Sequence, residues 1–164
     1  MEWRGKKVVV VGLARSGQSA AKLLLHLGAQ VIGTDLKERE DLGPSLNEII
    51  RQGANLFLGA HPIQLLEEAD CLVVSPGVPD GNPLLTEAKR RNIPAIGEIE
   101  FAFTFLKSNV IVAVTGTNGK TTTTALMGAM LREDGRRAWI GGNMAPGEPL
   151  SEIALKASPH DTIV

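Results

Sequence analysis

The chain has 164 residues, 43% of them apolar and 21% charged, and a net charge of −1, which excludes the broad basic field of a nucleic-acid binder and sets a prior of one domain or two small ones. Its one cysteine, Cys71, rules out an internal disulfide and fits a reducing compartment. No apolar run reaches the ~18 residues of a membrane span, and MEWRGKKVVVVG lacks a signal-peptide pattern, so a cytoplasmic protein is expected.

The chain opens on KVVVVG (7–12), too continuously apolar for a half-exposed strand and so predicted to be a buried parallel one. Ala20, Leu23, Leu24 and Leu27 then recur at helical spacing, with Gly28 as a stop. QVIGTD (30–35) reads as a second strand and EREDLGP as a solvated loop. A helix on Leu46, Ile49 and Ile50 ends at Gly53, and NLFLG follows. A short helix around 62–69 leads to the buried strand DCLVVSPG (70–77). PLLTEAKRRN (83–92) starts with Pro at a tolerated first-turn position and ends in cations that suit the helix dipole, and IPAIG closes the series. Such alternation predicts an α/β fold with a doubly wound parallel sheet.

A second series follows. A connecting helix is expected over 97–109, a strand in VIVAVTG, a helix over 121–132, a strand in AWIGG, a helix over 149–157 and a last strand in DTIV. An α/β domain seldom ends on a buried strand, so more of this second domain is expected beyond it.

Two glycine loops each follow a strand and open a helix. In TGTNGKTTTT (115–124), Gly116 and Gly119 let the backbone curl with its N–H groups inward. Lys120 is placed for the β- and γ-phosphates of a nucleotide and Thr121 for Mg²⁺, at a helix N-terminus whose dipole favours anions. Four threonines are poor helix formers, but in the first turn their hydroxyls are useful and propensity matters least. The strict spacing G-x-x-x-x-G-K-[ST] is not met, since Val114 stands in place of its first glycine. An ordinary strand–turn–helix corner is the alternative.

GLARSG (12–17), with Asp35 ending the next strand, has the spacing of a dinucleotide fingerprint, in which the acidic residue meets a ribose. Ala14 replaces its second glycine, and the methyl would crowd a pyrophosphate, which argues against NAD. A purely structural turn stays open there, as it does for SPGVP (75–79). His26, His61 and His160 form no ligand-spaced cluster with Cys71, so no zinc site is expected. No Ser/His/Asp set supports nucleophilic catalysis.

The order GLARSG, Asp35, SPGVP, GEIEF, TGTNGKTT and GGN resembles the Mur ligases of peptidoglycan synthesis, over the whole chain but only the first third or so of such an enzyme. TGTNGKTT alone is shared with folylpolyglutamate synthetases; its combination with VVGLARSG, SPGVP and GEIEF resembles the D-glutamate-adding branch. The resemblance implies a Rossmann-like UDP-substrate domain over 1–98 and the first part of a P-loop ATP-binding domain over 99–164. It implies ATP-dependent addition of D-glutamate to UDP-N-acetylmuramoyl-L-alanine through an acyl phosphate. A monomer is expected, although nothing in the sequence fixes the oligomeric state.

Carried over by position, Arg15, Ser16 and Gly17 would cradle the UDP-sugar phosphates. Asp35, Leu36 and Lys37 would lie beside the uridine, Gly77 would line the same site, and Asn143 would touch the UDP-linked substrate. Gly116, Thr117, Asn118, Gly119, Lys120, Thr121 and Thr122 would hold ATP, with Lys120 and Thr121 catalytic and Thr121 on Mg²⁺. Two positions depart from the family pattern: Lys37 stands where an arginine is expected, and GGNMAPG replaces the more usual GN-I-G. The magnesium-binding glutamate, carbamylated lysine, histidine and amino-acid-binding domain of the family are not in this sequence, so the chain alone is expected to be inactive. A ligase of the same superfamily acting on another acceptor, and a Rossmann oxidoreductase or nucleotide-binding module, are the rival readings.

Overall fold

The computed structural model describes residues 2–143 and 145–164, so Met144 of the GGNMAPG stretch lies outside it. The first 97 residues build one parallel sheet from β1 (Lys7–Val11), β2 (Gln30–Asp35), β3 (Asn55–Leu58), β4 (Cys71–Val74) and β5 (Ala95–Gly97), in the order β3-β2-β1-β4-β5. β1 lies centrally, with Val11 beside Thr34 of β2 on one side and Val74 of β4 on the other. Val8, Val9, Val10 and Val11 are all fully buried, as a strand covered on both faces requires.

One face of the sheet is covered by α1 (Arg15–His26) and α3 (Leu46–Arg51), whose Ala20, Leu24, Leu46 and Ile49 join Val8 and Val10 in one core. The opposite face packs Val9, Val11 and Leu72 against Leu84 and Ala88 of α4 (Pro83–Arg90). The Asn82 side chain caps α4, accepting from the Leu84 N–H at 2.9 Å. EREDLGP is not all loop: α2 (Arg39–Leu42) forms one turn there because Leu42 is buried in the core. The helix expected around 62–69 is a 3-10 turn, Ile63–Leu66.

The connecting helix is α5 (Glu98–Phe103), shorter than the expected 97–109. Beyond it, β6 (Val110–Ile111), α6 (Lys120–Glu133), β7 (Ala138–Trp139), α7 (Leu150–Lys156) and β8 (Thr162–Ile163) form a second, three-stranded parallel sheet in the order β6-β8-β7. β8 therefore lies between its neighbours, and the outer strands are β6 and β7. Ladder pairing in VIVAVTG stops at Ile111, because only Val110 and Ile111 have strand partners in β8. Among the described residues no helix is long and apolar enough to cross a membrane.

The two sheets are joined by helices. α7 packs against both α1 and α5, and Ala154 of α7 belongs to the first sheet's core. At that junction Glu98 is 1% exposed, and its Oε1 accepts from the Ser151 N–H at 3.0 Å and the Ser151 hydroxyl at 2.6 Å. A buried carboxylate tied to the first turn of a neighbouring helix fixes how the two packed helices meet.

Candidate functional site

A cleft of 530 Å³ opens at the carboxyl ends of the first sheet's strands. Strand order reverses between β1 and β4, and this is where open α/β sheets bind ligands, because the two flanking loops turn to opposite faces and part. The loop after β1 supplies Gly12, Ala14, Arg15 and Ser16; the loop after β2 supplies Asp35, Leu36 and Lys37. The turn after β4 adds Ser75 and Gly77, the loop after β3 adds His61, and Asn143 arrives from the second unit.

The first glycine loop is held by backbone geometry. Gly12 has φ +85°, and its N–H donates to the Thr34 carbonyl at 2.8 Å while its own carbonyl accepts from the Ser75 hydroxyl at 2.8 Å. A Cβ at Gly17 would lie 1.7 Å from the Gly12 oxygen, so only glycine lets α1 approach the loop this closely. Gly17 thus forms the support behind the wall rather than the lining. The Ala14 cap of α1 has no side-chain acceptor, and the first N–H of the helix to find a partner is that of Gln18, bonded to Ala14 O at 3.0 Å. The N–H groups of Arg15, Ser16 and Gly17 have no acceptor among the described residues, which makes this 12-residue helix a ready anion site.

Asp35 ties the loops together. Its Oδ2 accepts from the Leu13 N–H at 2.5 Å and its Oδ1 from the Lys37 N–H at 2.9 Å. The spacing pointed to a ribose contact; the structure adds a bracing role that no spacing reveals. Arg15 and Ser16 reach in the other direction. Arg15 Nη2 donates to the Gly147 carbonyl at 3.0 Å, and the Ser16 hydroxyl donates to Asn143 Oδ1 at 2.5 Å.

His61 went unselected in the sequence, where a lone histidine in a loop carries no signal. Its Nδ1 lies 3.0 Å from the Thr34 hydroxyl oxygen, and that hydroxyl donates to the Ala60 carbonyl at 2.9 Å. A hydroxyl has one proton, so the ring must supply the proton of the second bond. Nδ1 therefore carries hydrogen. Burial pushes the His61 pKa below its ordinary 6.5, with the Asp35 carboxylate opposing more weakly. Burial thus favours the neutral ring, in which a proton on Nδ1 leaves the lone pair on Nε2.

The second glycine loop lies apart from the cleft's lining. Gly116 and Gly119 have φ +150° and +79°, and α6 starts at Lys120. No acceptor is found among the described residues for the backbone N–H groups of residues 115–122; the first bond is Thr123 N–H to Gly119 O at 2.9 Å. Lys120 folds over the loop, its ammonium donating to the carbonyls of Gly116 and, at 3.3 Å, Thr117. A row of unpaired N–H groups under an ammonium fits phosphate chemistry. For a divalent cation this loop supplies the Thr121 hydroxyl, and no group of three or more His, Cys, Asp or Glu side chains gathers among the described residues.

Residues 6–97 match the family described as Mur ligase MurD-like, N-terminal domain, and residues 114–161 match the Mur ligase middle domain. The chain is 41% identical, over 99% of its length, to a UDP-N-acetylmuramoylalanine--D-glutamate ligase of Streptococcus pneumoniae, of which it covers 36%. It is 44% identical over 99% of its length to the enzyme of that name from Ligilactobacillus salivarius, covering 35% of it. The chain thus spans about a third of the length of these relatives. Among solved structures, a murein peptide ligase from Psychrobacter arcticus matches 87% of this chain and 31% of its own at a TM-score of 0.59 and 25% identity. A pseudomurein peptide ligase type C from Methanothermus fervidus matches 98% of this chain and 32% of its own, at 0.58 and 26%. The glycine loops, the cleft at the strand reversal and these matches place the chain in the Mur ligase family, on its MurD-like branch.

Proposed function

We propose that this chain is the UDP-substrate half and the first part of the ATP-binding half of a ligase that adds D-glutamate to UDP-N-acetylmuramoyl-L-alanine in the cytoplasm. The boundary falls near Glu98, where the first sheet ends and the linking helix begins. The observation that carries the reading is the cleft wall: the start of α1, whose first N–H groups are unpaired, is lined up with Arg15, Ser16 and Asn143 around one space. An elongated diphosphate-linked substrate fits such a wall. Arg15 and Ser16 hold its phosphates, with Gly17 contributing only its backbone N–H at the start of α1; Asp35, Leu36 and Lys37 flank its nucleoside, and Gly77 and Asn143 line its path.

Its carboxylate cannot be displaced by an amine until it gains a better leaving group. ATP, as cosubstrate, supplies that group: its γ-phosphoryl passes to the carboxylate oxygen, giving an acyl phosphate and ADP. The D-glutamate amine then attacks the acyl carbon, and phosphate leaves with the oxygen. Phosphoryl transfer needs positioning and charge neutralisation more than covalent help. Lys120 and the loop amides of Gly116, Thr117, Asn118, Gly119 and Thr122 provide both, and Thr121 offers one oxygen to Mg²⁺.

A thermal-shift comparison tests the substrate assignment. At ~100 times its Kd, UDP-N-acetylmuramoyl-L-alanine should stabilise the chain by about 2.7 kcal/mol, or roughly 5–10 °C. NAD should give no shift, because the Ala14 methyl lines the approach to α1. A shift with NAD and none with the UDP-sugar would overturn the reading.

A further inference from the structure

The cleft's side-chain acceptors are nearly all in use. Both Asp35 oxygens hold backbone N–H groups, Asn82 Oδ1 holds the Leu84 N–H, and Asn143 Oδ1 holds the Ser16 hydroxyl. His61 Nε2 differs. It has no hydrogen-bond partner among the described residues, where the one buried side-chain N or O atom without a partner is Glu98 Oε2, so His61 Nε2 is reached by solvent, and His61 is one of the residues that line the cleft. The Thr34 hydroxyl, fully buried and committed to Ala60, keeps the proton on Nδ1 and the acceptor on Nε2. On the same wall Leu36 is 65% exposed, an apolar surface against which a flat ring can lie.

We propose that His61 is a specificity-determining residue whose Nε2 accepts the ring N–H of a uracil base lying beside Leu36, and so rejects cytosine. The inference rests on the UDP-substrate reading above and deepens it. The two pyrimidines differ at ring position 3: uracil carries a donor hydrogen there and cytosine a lone pair. A fixed acceptor pairs with the first and faces the second acceptor to acceptor. Thr34 is the positioning residue, since it decides which ring nitrogen carries hydrogen. A side chain free to switch tautomer would accept either base.

The test uses UDP and CDP as probes. Calorimetric titration of the wild-type chain should show UDP preferred about 10- to 100-fold, the range for leaving one polar pair unmatched. His61→Ala should bring the two affinities within about threefold, chiefly by weakening UDP, and His61→Phe should do the same while keeping the ring's bulk. Thr34→Val should narrow the preference with His61 intact. Nitrogen-15 NMR of the unmodified chain supplies a readout free of folding artefacts. It should show the Nδ1–H tautomer, with UDP shifting the Nε2 resonance and CDP not.

An Nε2–H tautomer, or a UDP preference unchanged in both His61 variants, overturns the inference while leaving the substrate reading in place. A wild-type chain that binds neither UDP nor UDP-N-acetylmuramoyl-L-alanine overturns both.

Discussion

The Ser16 hydroxyl donates to Asn143 Oδ1 at 2.5 Å, joining residues 127 positions apart across the mouth of the cleft. With its oxygen held by Ser16, the Asn143 amide group is oriented, leaving its N–H donors for a ligand. Asn143→Ala should therefore weaken UDP-N-acetylmuramoyl-L-alanine by roughly 3- to 10-fold, the worth of one net hydrogen bond. The melting temperature should stay within about 2 °C, since the bond sits on a partly exposed loop. Equilibrium titration beside a melting curve separates the two effects.

Gly17 and Gly77 should respond oppositely to alanine. At Gly17 the new methyl would meet the Gly12 carbonyl oxygen at 1.7 Å, a backbone atom that also accepts the Ser75 hydroxyl. Gly17→Ala should cost about 3 kcal/mol or more, near 6–12 °C in Tm. At Gly77 nothing lies within 4 Å, so Gly77→Ala should stay within about 0.5 kcal/mol of wild type. Denaturation curves for the two variants decide it.

Lys120→Ala should leave the chain's stability and UDP-substrate affinity unchanged, because the side chain is exposed and touches only its own loop. In a full-length ligase carrying this sequence, turnover should fall by roughly 10³–10⁵. Steady-state phosphate release measures it; a loss of threefold or less would make the loop purely structural.

Asp161 gives a pH prediction. The Trp139 indole N–H, donating at 2.7 Å, and the Ser158 N–H, donating at 3.0 Å, hold its carboxyl at about 2, below the usual 3.8, with the Ser158 hydroxyl and Arg137 adding to the effect. A depressed carboxyl stabilises the folded state fully above its ordinary pKa, and that stabilisation is lost as pH falls from 3.8 towards 2. Asp161→Asn should melt below wild type at pH 7, and the gap should close as pH falls through that window. Melting temperatures of both proteins from pH 7 to pH 2 give the comparison.

The 164-residue chain should release no D-glutamate-dependent phosphate when given UDP-N-acetylmuramoyl-L-alanine, ATP, Mg²⁺ and D-glutamate. It spans 36% of the Streptococcus relative, and its described residues gather no carboxylate cluster for a divalent cation. An amine without a pocket forfeits an effective concentration that can reach about 10⁵ M or more. Turnover at an ordinary enzymatic rate would show that these residues suffice.

Local pattern carried much of this into view. KVVVV announced a doubly covered strand, and each glycine loop was visible as the break between an apolar run and a helix. What stayed hidden depends on distant partners. Arg15 meets Gly147 because α7 packs on α1, which no periodicity encodes. Leu42 turns a charged stretch into a helix because a core pocket is there to receive it. The His61 tautomer follows from a threonine hydroxyl 27 residues away already committed to a third group. VIVAVTG read as a longer strand than the two residues that pair, since apolar content shows β tendency but not whether a neighbour runs alongside.

The position of β8 between β6 and β7 has a consequence for synthesis on the ribosome. In the first sheet β1 pairs with β2, β2 with β3, β1 with β4 and β4 with β5, so each strand has a partner available as it emerges. In the second sheet β6 and β7 share no ladder; each pairs only with β8. Neither can dock until Thr162 and Ile163 have left the exit tunnel, some fifty residues after Val110. During that interval the nascent chain carries a paired first sheet, its cleft still without Asn143, trailed by an unassembled second glycine loop. A chaperone meeting the emerging protein would find the segment between Val110 and Ile163 exposed, together with the faces of α1 and α5 that α7 later covers.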